Sequence, residues 1–377
     1  MKILHVVTDL DADMAYGGPA ANCTMHSVEQ GLIGNDVSIL TTHRSECLDF
    51  REQGVSLYSA KAFRFFRAYP FAFQISFNFI FKAIREVRKS DLIHIHFARE
   101  LVPVSTALIC LLFRKPFVLQ THGMMEKRNL YKHKIWDSIF SNAIMKKANL
   151  ILALQEIELK QLKGDFTVSP CLLGNGVSIK KMEQVLSKRE LVNNFKNILF
   201  LARIHPRKQP ELFLKTGLRV LEKRPGLGLE MYGAKSKASV DFFQYLDSTG
   251  MNDIYRGSVA HEVALEVISR SAILVLPSKQ EPYPMSILES LCLGTPVLIM
   301  EDSGIAQLIQ SIDKNFVMKS DGTSMADLII EIVDAYQDYQ KREELSYRAR
   351  EIFDINKIAL ESLHYYESIL SGDMRLG

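Results

Sequence analysis

Two glutamates frame the chemically richest stretch of the chain, Ser278-Lys279-Gln280-Glu281-Pro282-Tyr283-Pro284-Met285-Ser286-Ile287-Leu288-Glu289-Ser290-Leu291-Cys292-Leu293-Gly294-Thr295-Pro296-Val297. An apolar run ends near Ser278, Pro284 suits the first helical position, Gly294 suits the C-terminal cap, and Pro296 forbids continuation. Glu281 then lies in the loop before a helix and Glu289 about one turn inside it. The N–H groups of Met285, Ser286 and Ile287 have no partner within such a helix start, so they can hold a diphosphate without a metal. A carboxylate flanks that anion site on each side. Glu289 can accept both hydroxyls of a ribose, and Glu281 the hydroxyls of a sugar on the other phosphate.

Cations arrive from a second segment, Asn197-Ile198-Leu199-Phe200-Leu201-Ala202-Arg203, read as a buried strand and followed by Ile204-His205-Pro206-Arg207-Lys208. Ligands of parallel sheets sit beyond the carboxyl ends of strands, so Arg203 and Lys208 are placed to neutralise phosphates. In the first half, Gly17 and Gly18 follow strand one and open a helix, which permits close backbone approach to a ligand. The Gly-x-Gly-x-x-Gly pattern is missing and no acidic residue clearly ends strand two, which speaks against a dinucleotide dehydrogenase. A strand over Phe117–Thr121 delivers His122 and Gly123 to the same edge, and Asn175-Gly176-Val177 reads as a tight turn tolerating positive φ.

Two patterns imitate metal sites. Asp9-Leu10-Asp11 and Asp11-Ala12-Asp13 have the spacing that binds magnesium or manganese, but they fall in the loop leading to Gly17, and the helix terminus already offers a metal-free anion site. His94 and His96 alternate on a strand and share a face, expected to be core or cleft wall because no third ligand is evident. No metal is expected.

Taken together, Glu281 and Glu289 with Gly294-Thr295-Pro296-Val297, and Arg203 with Lys208, resemble the retaining glycosyltransferases of the GT-B fold, family 4 (glycosyl transferases group 1), of the bacterial surface-polysaccharide type. The resemblance covers most of the chain. It implies an α/β architecture of two Rossmann-like domains whose parallel sheets face each other across a cleft. It also implies a nucleotide-sugar donor, UDP- or GDP-linked, a saccharide or lipid-linked saccharide acceptor, and no further cofactor. Arg203 and Lys208 take the phosphate-binding roles, His122 approaches the transferred sugar, and Gly17 and Gly18 lie near the donor diphosphate or the acceptor. The catalytic set is then His122, Glu281, Arg203 and Lys208, with Met285, Ser286, Ile287 and Glu289 completing the donor site. Ala202 and Gln209 stand where the family commonly has glycine. A nucleotide-sugar epimerase of the same fold and a degenerate saccharide-binding subunit are the alternatives; the second is disfavoured by the presence of Arg203, Lys208, Glu281 and Glu289.

These residues need two sheets to position them. At 377 residues the chain exceeds one ordinary core. Strand patterns fall near Lys2–Thr8, Asp36–Thr42, Val55–Ser59, Leu92–Phe97, Phe117–His122 and Leu150–Leu154, then Asn197–Ile204, Leu227–Tyr232, Asp253–Arg256, Ala272–Pro277 and Pro296–Met300, alternating with helical patterns. A polar, Lys-rich stretch from Val177 to Phe195 marks the junction. The expected domains are 1–180 and 190–354, and by resemblance the tail helix over 355–377 crosses back to the first.

Residues 1–180 carry 22 Lys+Arg against 16 Asp+Glu, the remainder 24 against 27, so a basic half joins a mildly acidic one. That imbalance is too small to imply nucleic acid. Five scattered cysteines without a Cys-x-x-Cys pair argue against a disulfide framework or zinc site and fit a reduced cytoplasm. The start lacks a signal-peptide pattern, and the apolar stretch Val102 to Phe113 is too short to span a bilayer.

Residues 62–89 interleave aromatics with Lys and Arg. Phe73, Phe77, Ile80, Ile84 and Val87 make a core stripe, leaving Phe65, Phe66, Phe71 and Phe79 over. A second basic cluster (Lys127, Arg128, Lys132, Lys134, Lys146 and Lys147) surrounds Leu130, Tyr131, Ile135 and Trp136. Both suit peripheral attachment to an anionic membrane on its cytoplasmic face.

Overall fold

The computed structural model describes residues 1–10, 18–43, 53–64, 74–126, 131–188, 195–319 and 324–373. The chain divides into two compact units, Met1–Gly176 together with Ile355–Gly377, and Val177–Asp354.

In the first unit, β1 (Lys2–Asp9), β2 (Asp36–His43), β3 (Ser56–Lys61), β6 (Leu92–His96), β7 (Phe117–Gln120), β8 (Leu150–Ala153) and β9 (Cys171–Leu172) form one parallel sheet. Its order is β3-β2-β1-β6-β7-β8-β9, and β4 (Phe63–Arg64) pairs antiparallel with β5 (Gln74–Ile75) beside it. All of β6 and all of β1 after Lys2 are buried, because helices cover both faces. The terminal helix Ile355–Ser371 is one of those covers: Ile358, Leu363, Tyr366 and Ile369 share a cluster with Ile3, Val7 and Ile39.

The second unit holds β10 (Asn197–Leu201), β11 (Gly228–Tyr232), β12 (Ile273–Leu276), β13 (Val297–Met300) and β14 (Val317–Met318), parallel in the order β11-β10-β12-β13-β14. In both sheets the strand order reverses beside the first strand, between β1 and β6 and between β10 and β12. Those switch points are where ligands of doubly wound sheets bind.

Three expectations are corrected. No strand forms over Asp253–Arg256; Asn252–Ile254 is a 3₁₀ turn with a single bridge from Met231 to Tyr255, since Asn252 and Asp253 favour a turn. On the helix Phe77–Lys89 the buried residues are Phe79, Ala83, Glu86 and Val87, while Phe77 is 79% exposed. Of the expected stripe, Val87 is buried and Ile80 and Ile84 pack partly buried against the core, so among its described residues Phe77 alone departs from it and Phe79 is added to the buried face; Phe65, Phe66, Phe71 and Phe73 lie outside the described residues. Gly176 does not adopt positive φ. It is needed for close approach, because a Cβ there would meet Ile355 Cα at 2.7 Å.

Candidate functional site

At the β10/β12 switch point the sequence-predicted cation and carboxylate meet. Lys208 Nζ lies 2.6 Å from Glu281 Oε2, and Arg207 reaches the same oxygen at 3.3 Å. Backbone ties fix both partners. Lys279 N–H donates to the Arg207 carbonyl at 2.9 Å, and the Glu281 carbonyl accepts from Gly304 N–H at 2.8 Å and from the Ser303 hydroxyl at 3.2 Å. Gln209 and Gln280 both sit at positive φ, 51° and 47°, so each loop turns sharply next to the pair. Burial holds the Lys208 ammonium below its ordinary pKa, an effect Glu281 partly offsets; the charges of Arg207 and Arg203 push the same way as burial. Arg203 itself is exposed just beyond β10.

The helix Met285–Cys292 starts one residue later than expected, with Pro284 as its cap and Gly294 beyond its end at φ 77°. Ile287 N–H folds back onto the Pro284 carbonyl at 3.1 Å, so it is not available to an anion. Met285 and Ser286 are left to present N–H groups at the helix mouth. One turn in, Glu289 is 7% exposed and its Oε1 takes a 2.7 Å hydrogen bond from His261 Nε2. That bond, first among the causes, raises the His261 pKa above 6.5. His261 was not found from sequence, because it opens a separate helix, His261–Arg270, with no motif attached.

The edge of the first sheet carries a second set of groups. Thr8 and Asp9 end β1, and the Thr8 hydroxyl donates to the Glu100 carboxylate at the β1/β6 switch point. Burial lifts the Glu100 pKa to about 6 against the lowering pull of that hydrogen bond, with Asp9 adding a smaller upward push. Glu100 was also missed, since a lone Glu after a strand carries no pattern.

Beyond β7, His122 and Gly123 both take positive φ, 51° and 71°. A non-glycine residue in that region needs the surroundings to hold it. Glu158 does so, accepting from the Thr121 hydroxyl at 2.5 Å, Gly123 N–H at 2.5 Å and Leu154 N–H at 2.7 Å. Arg99, paired with Asp137 at 2.8 Å, donates to the Met124 and Met125 carbonyls and closes the turn from the other side.

Behind His122 lies a buried set of imidazoles. Its Nε2 is 2.7 Å from His96 Nδ1, while its Nδ1 is buried without a partner. The parallel register sets His5 opposite His94. A third histidine therefore does join His94 and His96, contrary to expectation, and nitrogens of the three lie within 4.8 Å of one another. The rings of His94 stack on His96 and on His5, each at 4.8 Å between centroids, and His5 Nδ1 faces His96 Nε2 at 3.4 Å. Gly18 opens the helix Gly18–Leu32; Gly17, Asp11 and Asp13 fall outside the described residues. Asn175 accepts a 2.7 Å hydrogen bond from Asn22 on that helix.

Comparison with known proteins adds an independent line. Residues 29–181 match the family model described as Glycosyltransferase Family 4, and residues 181–352 match Glycosyl transferases group 1. A D-inositol 3-phosphate glycosyltransferase of Paenarthrobacter aurescens (strain TC1) is 30% identical over 188 residues, 47% of this chain and 45% of that protein, so the likeness spans less than half of the relative. Among solved structures, Anabaena Alr3699/HepE in complex with UDP-glucose has a TM-score of 0.74 at 13% identity, covering 98% of this chain and 100% of that one. Sucrose-phosphate synthase from Thermosynechococcus elongatus has a TM-score of 0.71 at 15% identity, covering 98% and 99%. At such identities the likeness is one of fold.

Proposed function

We propose, from the premise that this chain belongs to the GT-B glycosyltransferases, that it moves a hexose-type sugar from a UDP- or GDP-linked donor to a saccharide or lipid-linked saccharide acceptor. The transfer retains anomeric configuration and needs no metal. The observation that carries the reading is the Lys208–Glu281 pair, anchored by backbone bonds at the β10/β12 switch point beside a helix N-terminus. The UDP and UDP-glucose complexes of the structurally similar Anabaena protein support a uridine donor.

In this mechanism Arg203, Lys208 and the Met285 and Ser286 N–H groups stabilise the charge that develops on the leaving diphosphate. Glu289 accepts from the ribose hydroxyls and Glu281 from hydroxyls of the transferred sugar. The departing phosphate oxygen takes the acceptor's proton. The C–O bond to the donor breaks as the bond to the acceptor oxygen forms on the same face.

The setting we favour is surface-polysaccharide assembly at an anionic membrane. Phe77 and Phe81 are 79% and 72% exposed on the helix Phe77–Lys89, and Leu112 is 73% exposed on the helix Leu101–Leu112 packed beside it. Arg85, Arg88 and Lys89 follow on the same helix, the mixture that binds an acidic lipid surface.

Mass spectrometry of reactions with a panel of nucleotide-sugars and saccharide acceptors tests the reading. A product of donor-sugar plus acceptor mass supports transfer. An isomerised donor would indicate an epimerase, and unchanged substrates with intact binding a saccharide-binding subunit.

A further inference from the structure

We propose that His96, backed by His5 and Gln30, fixes His122 as the Nε2–H tautomer, so that its Nδ1 meets substrate only as a hydrogen-bond acceptor. The functional part of this rests on the reading of His122 as a sugar-facing residue; the tautomer itself follows from the geometry of the first unit alone.

The tautomers are set along a chain of hydrogen bonds that starts at the Ser362 hydroxyl on the terminal helix. Ser362 donates its hydroxyl proton to the Ala359 carbonyl at 2.7 Å and its oxygen accepts from Gln30 Nε2 at 2.9 Å, while His26 Nε2 lies 2.8 Å from that oxygen and 3.3 Å from Gln30 Nε2. The Gln30 amide is thereby oriented, with Oε1 facing His5 Nε2 at 2.8 Å. An amide oxygen cannot donate, so the proton of His5 is on Nε2 and its Nδ1 is a bare lone pair. That lone pair faces His96 Nε2 at 3.4 Å, a long contact that is favourable only if His96 donates. His96 Nδ1 is then bare and sits 2.7 Å from His122 Nε2, which must carry the proton.

Each imidazole passes the constraint on because each is neutral and has one donor and one acceptor nitrogen. Burial depresses His5 to about 4 and His122 to about 3, and burial with neighbouring imidazoles holds His96 well below its usual value, so no second proton breaks the pattern near neutrality. What remains at the end of the chain is His122 Nδ1, buried and without a protein partner at the carboxyl edge of β7.

An acceptor in that position selects a substrate O–H or N–H. It rejects a deoxy or fluoro substituent at the contacted position, because the lone pair would then stay buried and unmatched. His96, His5 and Gln30 are positioning residues in this scheme; none touches substrate.

Long-range ¹⁵N–¹H NMR of the imidazoles in the full-length protein reads the tautomer directly and does not depend on any transfer assay. The expected result is an unprotonated Nδ1 and a protonated Nε2 on His122. His96→Leu, which removes the acceptor, is expected to give a mixed tautomer and a fall of about ten- to hundredfold in any measured turnover. His96→Asn, whose side-chain oxygen can replace Nδ1, is expected to restore the single tautomer. A protonated Nδ1 in the wild type overturns the proposal, as does an unchanged tautomer in folded His96→Leu. A correct tautomer without detectable transfer would instead fault the functional reading and leave the positioning chain standing.

Discussion

Lys208 Nζ lies 2.6 Å from Glu281 Oε2, although 73 positions separate them in sequence. Their side chains are 16% and 12% exposed, so the pair works in a partly desolvated setting where charge acts strongly. Replacing Lys208 with Met keeps the length of the side chain and removes its charge. The expected loss in kcat is about 10²–10³-fold, the range for one group that stabilises transition-state charge. A loss under threefold, with the fold intact, would remove Lys208 from the mechanism.

His261 and Glu289 make a pH-dependent contact. The His261 pKa is raised in the folded state, chiefly by the Glu289 hydrogen bond. Its contribution to stability is therefore complete below the ordinary value of 6.5 and fades as pH rises through the raised one. An NMR titration should place His261 above 6.5, and Glu289→Gln should bring it down. A His261 that titrates below 6.5 in the wild type contradicts the contact.

Glu100 supplies a second pH signature. With a pKa near 6, its neutral form is favoured by burial, so its contribution to stability is lost as pH rises from its ordinary value of 4.5 through 6. Glu100→Gln should flatten the stability profile between those values. Identical profiles for wild type and variant would contradict the raised pKa of Glu100.

Gly176→Ala tests close packing. A Cβ would lie 2.7 Å from Ile355 Cα and 2.8 Å from its nitrogen, both backbone atoms that cannot move cheaply. Thermal unfolding should show destabilisation of about 1–3 kcal/mol, the usual cost of overpacking. Wild-type stability would mean that the Ile355 helix start shifts freely.

Membrane attachment predicts that Phe77→Ser with Phe81→Ser lowers co-sedimentation with phosphatidylglycerol vesicles by about tenfold at low salt. Neither residue contributes to the sheet core, so melting should be unaffected. Equal sedimentation of variant and wild type would place the acceptor away from lipid.

Much of this organisation was legible in the sequence, and the reasons are local. Two parallel sheets follow from apolar runs such as Leu199–Phe200 and Ile93–Ile95 alternating with helical patterns, and Glu281 and Glu289 are tied to one helix start by Pro284 and Gly294. What stayed hidden depends on registers between distant strands. His5 meets His94 only because β1 and β6 align in parallel with those residues opposed. Glu158 braces the His122 turn from a helix that carries no motif, and Glu100 meets Thr8 across 92 positions. On the Phe77–Lys89 helix Ile80, Ile84 and Val87 face the core as their spacing indicates, but composition alone did not show that Phe79 joins them while Phe77 stays exposed.

Calorimetric titration of UDP, GDP and ADP into the wild type and Glu289→Ala, with and without EDTA, tests the central claim most directly. The account predicts that one nucleotide binds, that EDTA leaves its affinity unchanged, and that Glu289→Ala weakens it by about 10–100-fold, the value of hydrogen bonds to a charged group. Absence of binding for all three, or binding that EDTA abolishes, would contradict a metal-free donor site built on Glu281, Lys208 and Glu289.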